Sequence, residues 1–235
     1  MTEVADEIRT YVNSTFRSGW TYEDWDRVPT EDDKLGLGNH GVRINAAVLY
    51  ADLTDSTGLV KNEGQDFAAE VYKAYVYAAA KVIRANEGSV TAYDGDRVMG
   101  VFIGDQMRNN AVNAAARLSA IVDKVIADEL SSMYKSHASY TMSHTIGIDS
   151  SSLLVANTGI RGNNDYVWVG TAANNAAKMS SLKKGYTTYI SETVYDVLDN
   201  YNRLANGDEY DLWTDLGSSD LGYRIYGSSL RSVVP

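Results

Sequence analysis

The chain has 235 residues, enough for one domain with an extension, and its 44% apolar and 22% charged residues are ordinary for a folded globular protein. A formal net charge of -10 excludes non-specific binding to nucleic acid or to an anionic membrane surface, because either needs a basic patch. The absence of cysteine excludes disulfides, thiolate chemistry and cysteine zinc sites, and without a membrane-length apolar run or a signal pattern a cytoplasmic location is expected.

Residues 1–40 read as an arm and linker distinct from a domain over 41–235. Trp20, Tyr22 and Trp25 stand among acidic residues, and the stretch from Thr30 to Asn39 is polar and glycine-bearing. The aromatics are expected to pin the arm onto the domain or across a dimer seam, the alternative being a loosely ordered tail. From Ile44 the pattern regularises. Residues 44–52 form an apolar strand, and 64–86 a helix in which Phe67, Val71, Ala74, Tyr75, Ala78 and Val82 recur at three-to-four-residue spacing, stopped by Asn86-Glu-Gly88. A hairpin follows, 89–93 and 97–103 across Asp94-Gly95. A second helix is predicted over 108–130. Paired strands are predicted at 141–148 and 152–157, another at 164–169, and a small-residue helix at 171–183. A strand near 187–190, a helix at 191–199 and strands at 209–213 and 222–226 close the chain. This order gives an α+β fold with a ferredoxin-like core, an antiparallel sheet with flanking helices. No internal repeat is present.

Three segments carry chemistry. Asp52 closes the apolar run Ala47-Val-Leu-Tyr-Ala-Asp-Leu-Thr-Asp-Ser-Thr57, and Asp96 follows the Asp94-Gly95 turn, so both carboxylates sit where strands end and can converge on a divalent ion. The hydroxyl-rich loop of Thr54, Ser56 and Thr57 precedes a helical run and offers hydroxyls and amides to phosphate. The third segment is Tyr166-Val-Trp-Val-Gly-Thr-Ala-Ala-Asn-Asn-Ala-Ala-Lys-Met179, in which Asn174 and Lys178 lie one turn apart on one helix face. The scattered histidines His40, His137 and His144 lack metal-ligand spacing and are expected to be surface or satisfied interior groups.

In order and wording these segments resemble the class III nucleotidyl cyclase catalytic domain, over about residues 43 to 226. That family has a strand ending in Phe-Ala-Asp-Ile-x-Gly-Phe-Thr, a hairpin with Lys-x-x-Gly-Asp, and a later Gly-x-x-x-Asn-x-x-x-Arg helix. The resemblance implies a head-to-tail homodimer with composite sites. Asp52, Asp96 and the backbone carbonyl of Leu53 hold two Mg²⁺ or Mn²⁺ ions, while Asn174 and Lys178 arrive from the opposite subunit to orient ribose and stabilise charge at the reacting phosphate. Lys178 stands where the family has Arg, keeping the charge but losing the planar fork. Asp55 is out of place in the phosphate loop, since a carboxylate there opposes phosphate unless it faces the metal.

The remaining departures concern the base. Where purine cyclases of the family read the purine edge, this chain has Ala92 and Val167, neither with a hydrogen-bonding side chain. Tyr50, two residues before Asp52 on the same strand face, is a candidate to narrow the pocket against a smaller base, and Arg97 to contact a pyrimidine carbonyl or phosphate. Tyr93 is a third candidate. Each has a plain alternative: core for Tyr50, hairpin surface charge for Arg97, cross-strand packing for Tyr93. The C-terminal triphosphate lysine of the family is missing from Asp215-Leu-Gly-Ser-Ser-Asp-Leu-Gly222, leaving Arg97, Arg161 and Arg224 as substitutes. A domain lacking the purine-reading residues looks like the pyrimidine cyclases of bacterial anti-phage systems, which make cyclic UMP or cyclic CMP for a separate effector protein. The expected activity is cyclisation of a pyrimidine nucleoside triphosphate, UTP before CTP. A purine cyclase with rewired contacts, or an inactive nucleotide-binding domain, are the alternatives.

Overall fold

A computed structural model describes residues 2–137, 139–160, 163–205, 210–218 and 221–232. In chain order the elements are α1 (Thr2–Arg17), β1 (Thr21–Asp24), β2 (His40–Leu53), α2 (Ser56–Glu63), α3 (Gln65–Ala85), β3 (Ser89–Asp94), β4 (Arg97–Phe102) and α4 (Met107–Ile121). A π-helical turn over Val122–Ile126 joins α4 to α5 (Ala127–Met133), and then come β5 (His144–Ile160), β6 (Asn163–Val169) and α6 (Thr171–Met179). The chain ends with β7 (Thr188–Ser191), α7 (Glu192–Tyr195), α8 (Asn200–Arg203), β8 (Leu204–Ala205), β9 (Tyr210–Asp211), β10 (Thr214–Ser218) and β11 (Arg224–Ser228).

The main sheet runs in the order β10-β11-β7-β5-β2-β4-β3, with β1 beside β2 and β6 beside β5. It is mixed, not antiparallel as predicted: β7 lies parallel to β5, and β1 parallel to β2. Strand alternation splits the core in two. Ala47, Leu49, Ala51 and Leu53 of β2 face α3 and α4, whereas Val42, Ile44, Ala46 and Val48 face the alanines of α6. That helix lies close to the sheet because Gly147 has no side chain: a Cβ there would stand 2.1 Å from the carbonyl oxygen of Ala176.

Several elements differ from the prediction for identifiable reasons. The break expected at 149–151 is absent, and β5 runs unbroken over 17 residues. Its central polar residues stay in the ladder because each finds a partner: Asp149 bonds Thr193 and Asn175, and Ser150 Oγ accepts from Arg108 Nε at 2.8 Å. The small-residue helix ends at Met179, before the two lysines 183 and 184, and the helix predicted over 191–199 is reduced to Glu192–Tyr195. Helix α2, one turn-rich step before α3, was not expected, and Gly64 at φ 94° separates the two. The arm carries an unanticipated helix and strand. Its β1 extends the sheet beside His40–Arg43, Trp25 packs on the α6-side core, and the Arg43 guanidinium lies 3.2 Å from the Tyr22 ring centre.

Candidate active site

The C-terminal end of β2 and the β3–β4 hairpin build two rungs on one face of the sheet. Cα register places Tyr50 opposite Met99 and Met99 opposite Ala92; two residues further, Asp52 lies opposite Arg97 and Arg97 opposite Asp94. Because side chains repeat every second residue, both rungs face the same way. One row is therefore apolar except for a phenol, and the next is charged. The hairpin loop is Gly95-Asp96, one residue later than predicted, with Gly95 at φ 61°, the left-handed conformation that the first position of such a tight loop demands. Asp96 thus stands at the loop's second position, beside the charged rung.

Arg97 Nη2 donates to Asp52 Oδ2 at 2.8 Å, an ion pair whose side chains are 31% and 16% exposed. Partial burial raises the Asp52 carboxyl above its usual range, an effect that the Arg97 bond opposes. Asp96 Oδ2 and Arg97 Nε are buried without a hydrogen-bond partner. Orphaned buried polar atoms are uncommon and costly, and these two belong to residues whose charges both act on Asp52. Tyr50 is half-buried, its phenol pushed up by burial and influenced by Arg97 and Asp94.

The segment over residues 54–57 is ordered by its backbone. The Thr54 amide donates to the Ser143 carbonyl at 2.9 Å, Ser56 is half-buried and Thr57 exposed. Asp55 adopts φ 58° and turns its carboxylate onto the first turn of α2, where a Cβ on Gly58 would meet Asp55 Oδ2 at 2.3 Å. The extra acid is thus folded back against its own helix, with Gly58 making room for it.

The other predicted residues lie elsewhere. Val167 pairs with Ala156, which pairs with Gly41 at the far end of β2; from Gly41 to Asp52 that strand runs roughly 35 Å. Within one chain Val167 cannot face the Tyr50 rung. Asn174 and Lys178 are exposed on α6, opposite the alanines that bury its inner face. Tyr93 is removed from the base candidates: it points to the α3 side, beside Val76 and Tyr77. Arg224 is held by Asp215 at 3.0 Å and Glu192 at 3.7 Å, and Arg161 lies outside the described residues. The histidines are structural. His40 bonds Thr21, His137 pairs with Glu63 and stacks on Phe67, and His144 is buried against Ser119. Tyr75, which the helical spacing places only in the core, is buried on α3 with a hydroxyl that bonds no protein group.

Among the described residues no group of three or more His, Cys, Asp or Glu side chains is poised around one point. Two carboxylates, one with an orphaned oxygen, together with a strand-end carbonyl nevertheless fit Mg²⁺ or Mn²⁺, which take few protein ligands and complete their shells with substrate phosphates and water.

No family model matches the chain. It is 45% identical over 202 residues to the uridylate cyclase of Xanthomonas perforans, covering 86% of this chain and 87% of that protein. To the uridylate cyclase of Burkholderia cepacia it is 37% identical over 232 residues, 98% of this chain and 99% of the relative. Among solved structures, a bacterial light-regulated adenylyl cyclase superposes with a TM-score of 0.66 at 18% identity, covering 79% of this chain and 90% of that one. The adenylyl cyclase CyaB from P. aeruginosa gives 0.58 at 20% identity over 79% and 93%. The fold is the class III cyclase fold.

Proposed function

The chain belongs to the family of the uridylate cyclases and is a nucleotidyl cyclase, and we propose that it converts UTP to 3′,5′-cyclic UMP and pyrophosphate. The observation that carries the substrate assignment is the paired rungs: the surface next to Asp52 is Tyr50 and Ala92 on either side of the buried Met99, a wall that offers a purine edge no hydrogen-bonding partner except the Tyr50 hydroxyl. The Tyr50 ring narrows the space beside the charged rung, which suits a single-ring base. CTP is the second candidate.

In this reading Asp52, Asp96 and the Leu53 carbonyl hold two Mg²⁺ or Mn²⁺ ions. When bound, the ions lower the pKa of the ribose 3′-hydroxyl and offset charge on the departing phosphates. The protein supplies the rest. Arg97, already at Asp52, can turn its guanidinium fork to phosphate oxygens, and Thr54, Ser56, Thr57 and the free amides opening α2 line the phosphate path. Bond formation from the 3′-oxygen to the α-phosphorus is matched by rupture of the bond to the bridging oxygen, so pyrophosphate leaves in line.

Asn174 and Lys178 act on the site of a second copy in a head-to-tail homodimer, the former aligning ribose and the latter meeting charge at the α-phosphate as a point cation. Their exposure on α6 supports this, as does the distance from the Asp52 rung to Val167. No helix among the described residues is long and apolar enough to cross a membrane, which agrees with action on the cytoplasmic nucleotide pool. The product is then a second messenger read by a separate effector protein in anti-phage defence. Incubation with each of the four ribonucleoside triphosphates and Mn²⁺, with mass identification of the products, tests the assignment. Cyclic AMP or cyclic GMP as main product would overturn it.

A further inference from the structure

Tyr75 lies in the middle of α3, is fully buried, and has a hydroxyl without a hydrogen-bond partner. A phenol in that position is expensive. An unpaired buried hydroxyl costs stability that phenylalanine would not, and α3 is otherwise an ordinary amphipathic helix whose inner residues are Phe67, Ala68, Val71, Ala79, Val82 and Ile83.

The position of the ring follows from its neighbours. Ile83 sits against Gly100, which pairs with Leu49 of β2, whereas the Tyr75 ring packs edge-on to His144, which pairs with Leu53. Eight helical residues advance about 12 Å, and the four strand residues from Leu49 to Leu53 about 13 Å, so α3 tracks β2 in the opposite direction. Tyr75 is thereby placed under the strand end that carries Asp52 and Leu53. Beyond burial, the charges that act on its phenol are those of Asp52 and Asp96, both of which push its pKa up further. Asp96 Oδ2 is itself buried and unpartnered.

We propose that Tyr75 is a positioning residue for the metal-binding carboxylates: its hydroxyl, which bonds no protein group, donates to the Asp96 carboxylate and fixes its orientation when a divalent cation is bound. This rests on the assignment of Asp52 and Asp96 as metal ligands. The hydroxyl then costs folding stability and contributes to metal binding instead. Groups that orient metal ligands in this way typically change affinity 10- to 100-fold when removed.

Mn²⁺ titrated into the wild-type protein and into Tyr75→Phe, followed by the electron paramagnetic resonance of free Mn²⁺, separates the possibilities when combined with metal-free thermal melts. The expected result is Mn²⁺ affinity weakened about 10-fold or more, a melting temperature at or above that of wild type, and, in assays, a raised Mn²⁺ requirement with kcat recovered at saturating metal. Unchanged Mn²⁺ affinity, or a variant that melts earlier or fails to fold, would overturn the proposal, since either makes the hydroxyl idle or merely structural. Asp96→Asn is the control for the underlying assignment. If wild type and Asp96→Asn bind Mn²⁺ equally, the ligand assignment itself fails; if only Asp96→Asn loses binding and Tyr75→Phe does not, the role of Tyr75 alone is refuted.

Discussion

Two polar clusters, each built around an aspartate, lie a few rungs apart in the same sheet, and they are built on opposite principles. Asp149 of β5, opposite Val48, is buried and saturated: Oδ1 accepts from the Ser150 amide at 2.7 Å, from Thr193 Oγ1 at 2.8 Å and from Ser191 Oγ, while Oδ2 accepts from Asn175 Nδ2 at 2.8 Å. The Asp52 cluster, at the strand end, has one ion pair and leaves Asp96 Oδ2, Arg97 Nε and Tyr75 Oη unbonded. A saturated carboxylate has no capacity left for a ligand, so Asp149 fastens β5, β7 and α6 to one another. The incomplete cluster keeps its capacity for something outside the chain.

The sharpest way to break this contrast is to mutate both clusters. Asp52→Asn or Asp96→Asn should lower cyclisation by about 1,000-fold or more, about 4 kcal/mol of barrier, with a melting temperature near wild type. Asp149→Ala should do the reverse first, costing about 3 kcal/mol or more in folding stability because several charge-assisted bonds lose their acceptor. Thermal melts beside product assays decide it. Near-normal turnover in either asparagine variant would end the metal-ligand assignment.

His144 gives the next largest effect. It lies opposite Leu53, and burial, aided by the Arg231 charge, pushes its imidazole down to about 4 from an ordinary value near 6.5. A depressed histidine pKa means that the unfolded chain binds the proton more readily. Stability is therefore complete above about pH 6.5 and is lost as pH falls towards 4, by up to about 3 kcal/mol. Asp52 acts with the opposite sign, since burial favours its protonated form, so acidification relieves it. Denaturant unfolding at pH 7 and pH 5 should show the net loss, and His144→Gln should flatten it. A wild-type slope equal to the variant's would mean that the ring is not desolvated.

How far the sequence revealed all this depends on what each residue's position was set by. The juxtaposition of Asp52, Tyr50, Arg97 and Ala92 was legible because strand alternation and a tight hairpin fix neighbours at short range, although the loop is Gly95-Asp96 and not Asp94-Gly95. The unbroken β5 was not, because Asp149 and the serines look like a turn until partners from α7, α4 and α6 satisfy them. The same holds for the mixed sheet, since the parallel β5–β7 pair is a long-range contact with no local signature. Asp55 looks out of place in the sequence, and what resolves it, a left-handed φ that folds the carboxylate over Gly58, has no sequence signature. Tyr75 fits the apolar stripe of α3, and nothing in the sequence marks its hydroxyl as unpaired.

Base choice sharpens the contrast within the open cluster itself, between its charged rung and its apolar one. If Tyr50 and Ala92 wall the base, UTP should turn over at least about 10-fold better than ATP or GTP, about 1.4 kcal/mol of differential transition-state binding. Tyr50→Ala should erode that ratio while leaving Mn²⁺ binding unchanged. Competition assays of kcat/KM with paired nucleotides would measure it, and an unaltered ratio in the variant would remove Tyr50 from the pocket.

The smallest effect tests whether the open cluster is completed by another chain. Asn174 and Lys178 are exposed on α6, the helix that Asp149 helps hold through Asn175, so the saturated cluster of one subunit would position the groups that finish the open cluster of the next. An inactive Asp52→Asn protein mixed with an inactive Lys178→Ala protein should then regain activity, because each heterodimer has one site without a lesion. With free subunit exchange half of the dimers are mixed and half of their sites intact, so recovery should reach roughly a quarter of the wild-type rate. Exchange can be followed independently with differently tagged copies. Recovery that stays at the level of the separate variants, while the tags show mixed dimers, would place Lys178 and Asp52 in the same chain's site and reduce the link through Asp149 to packing.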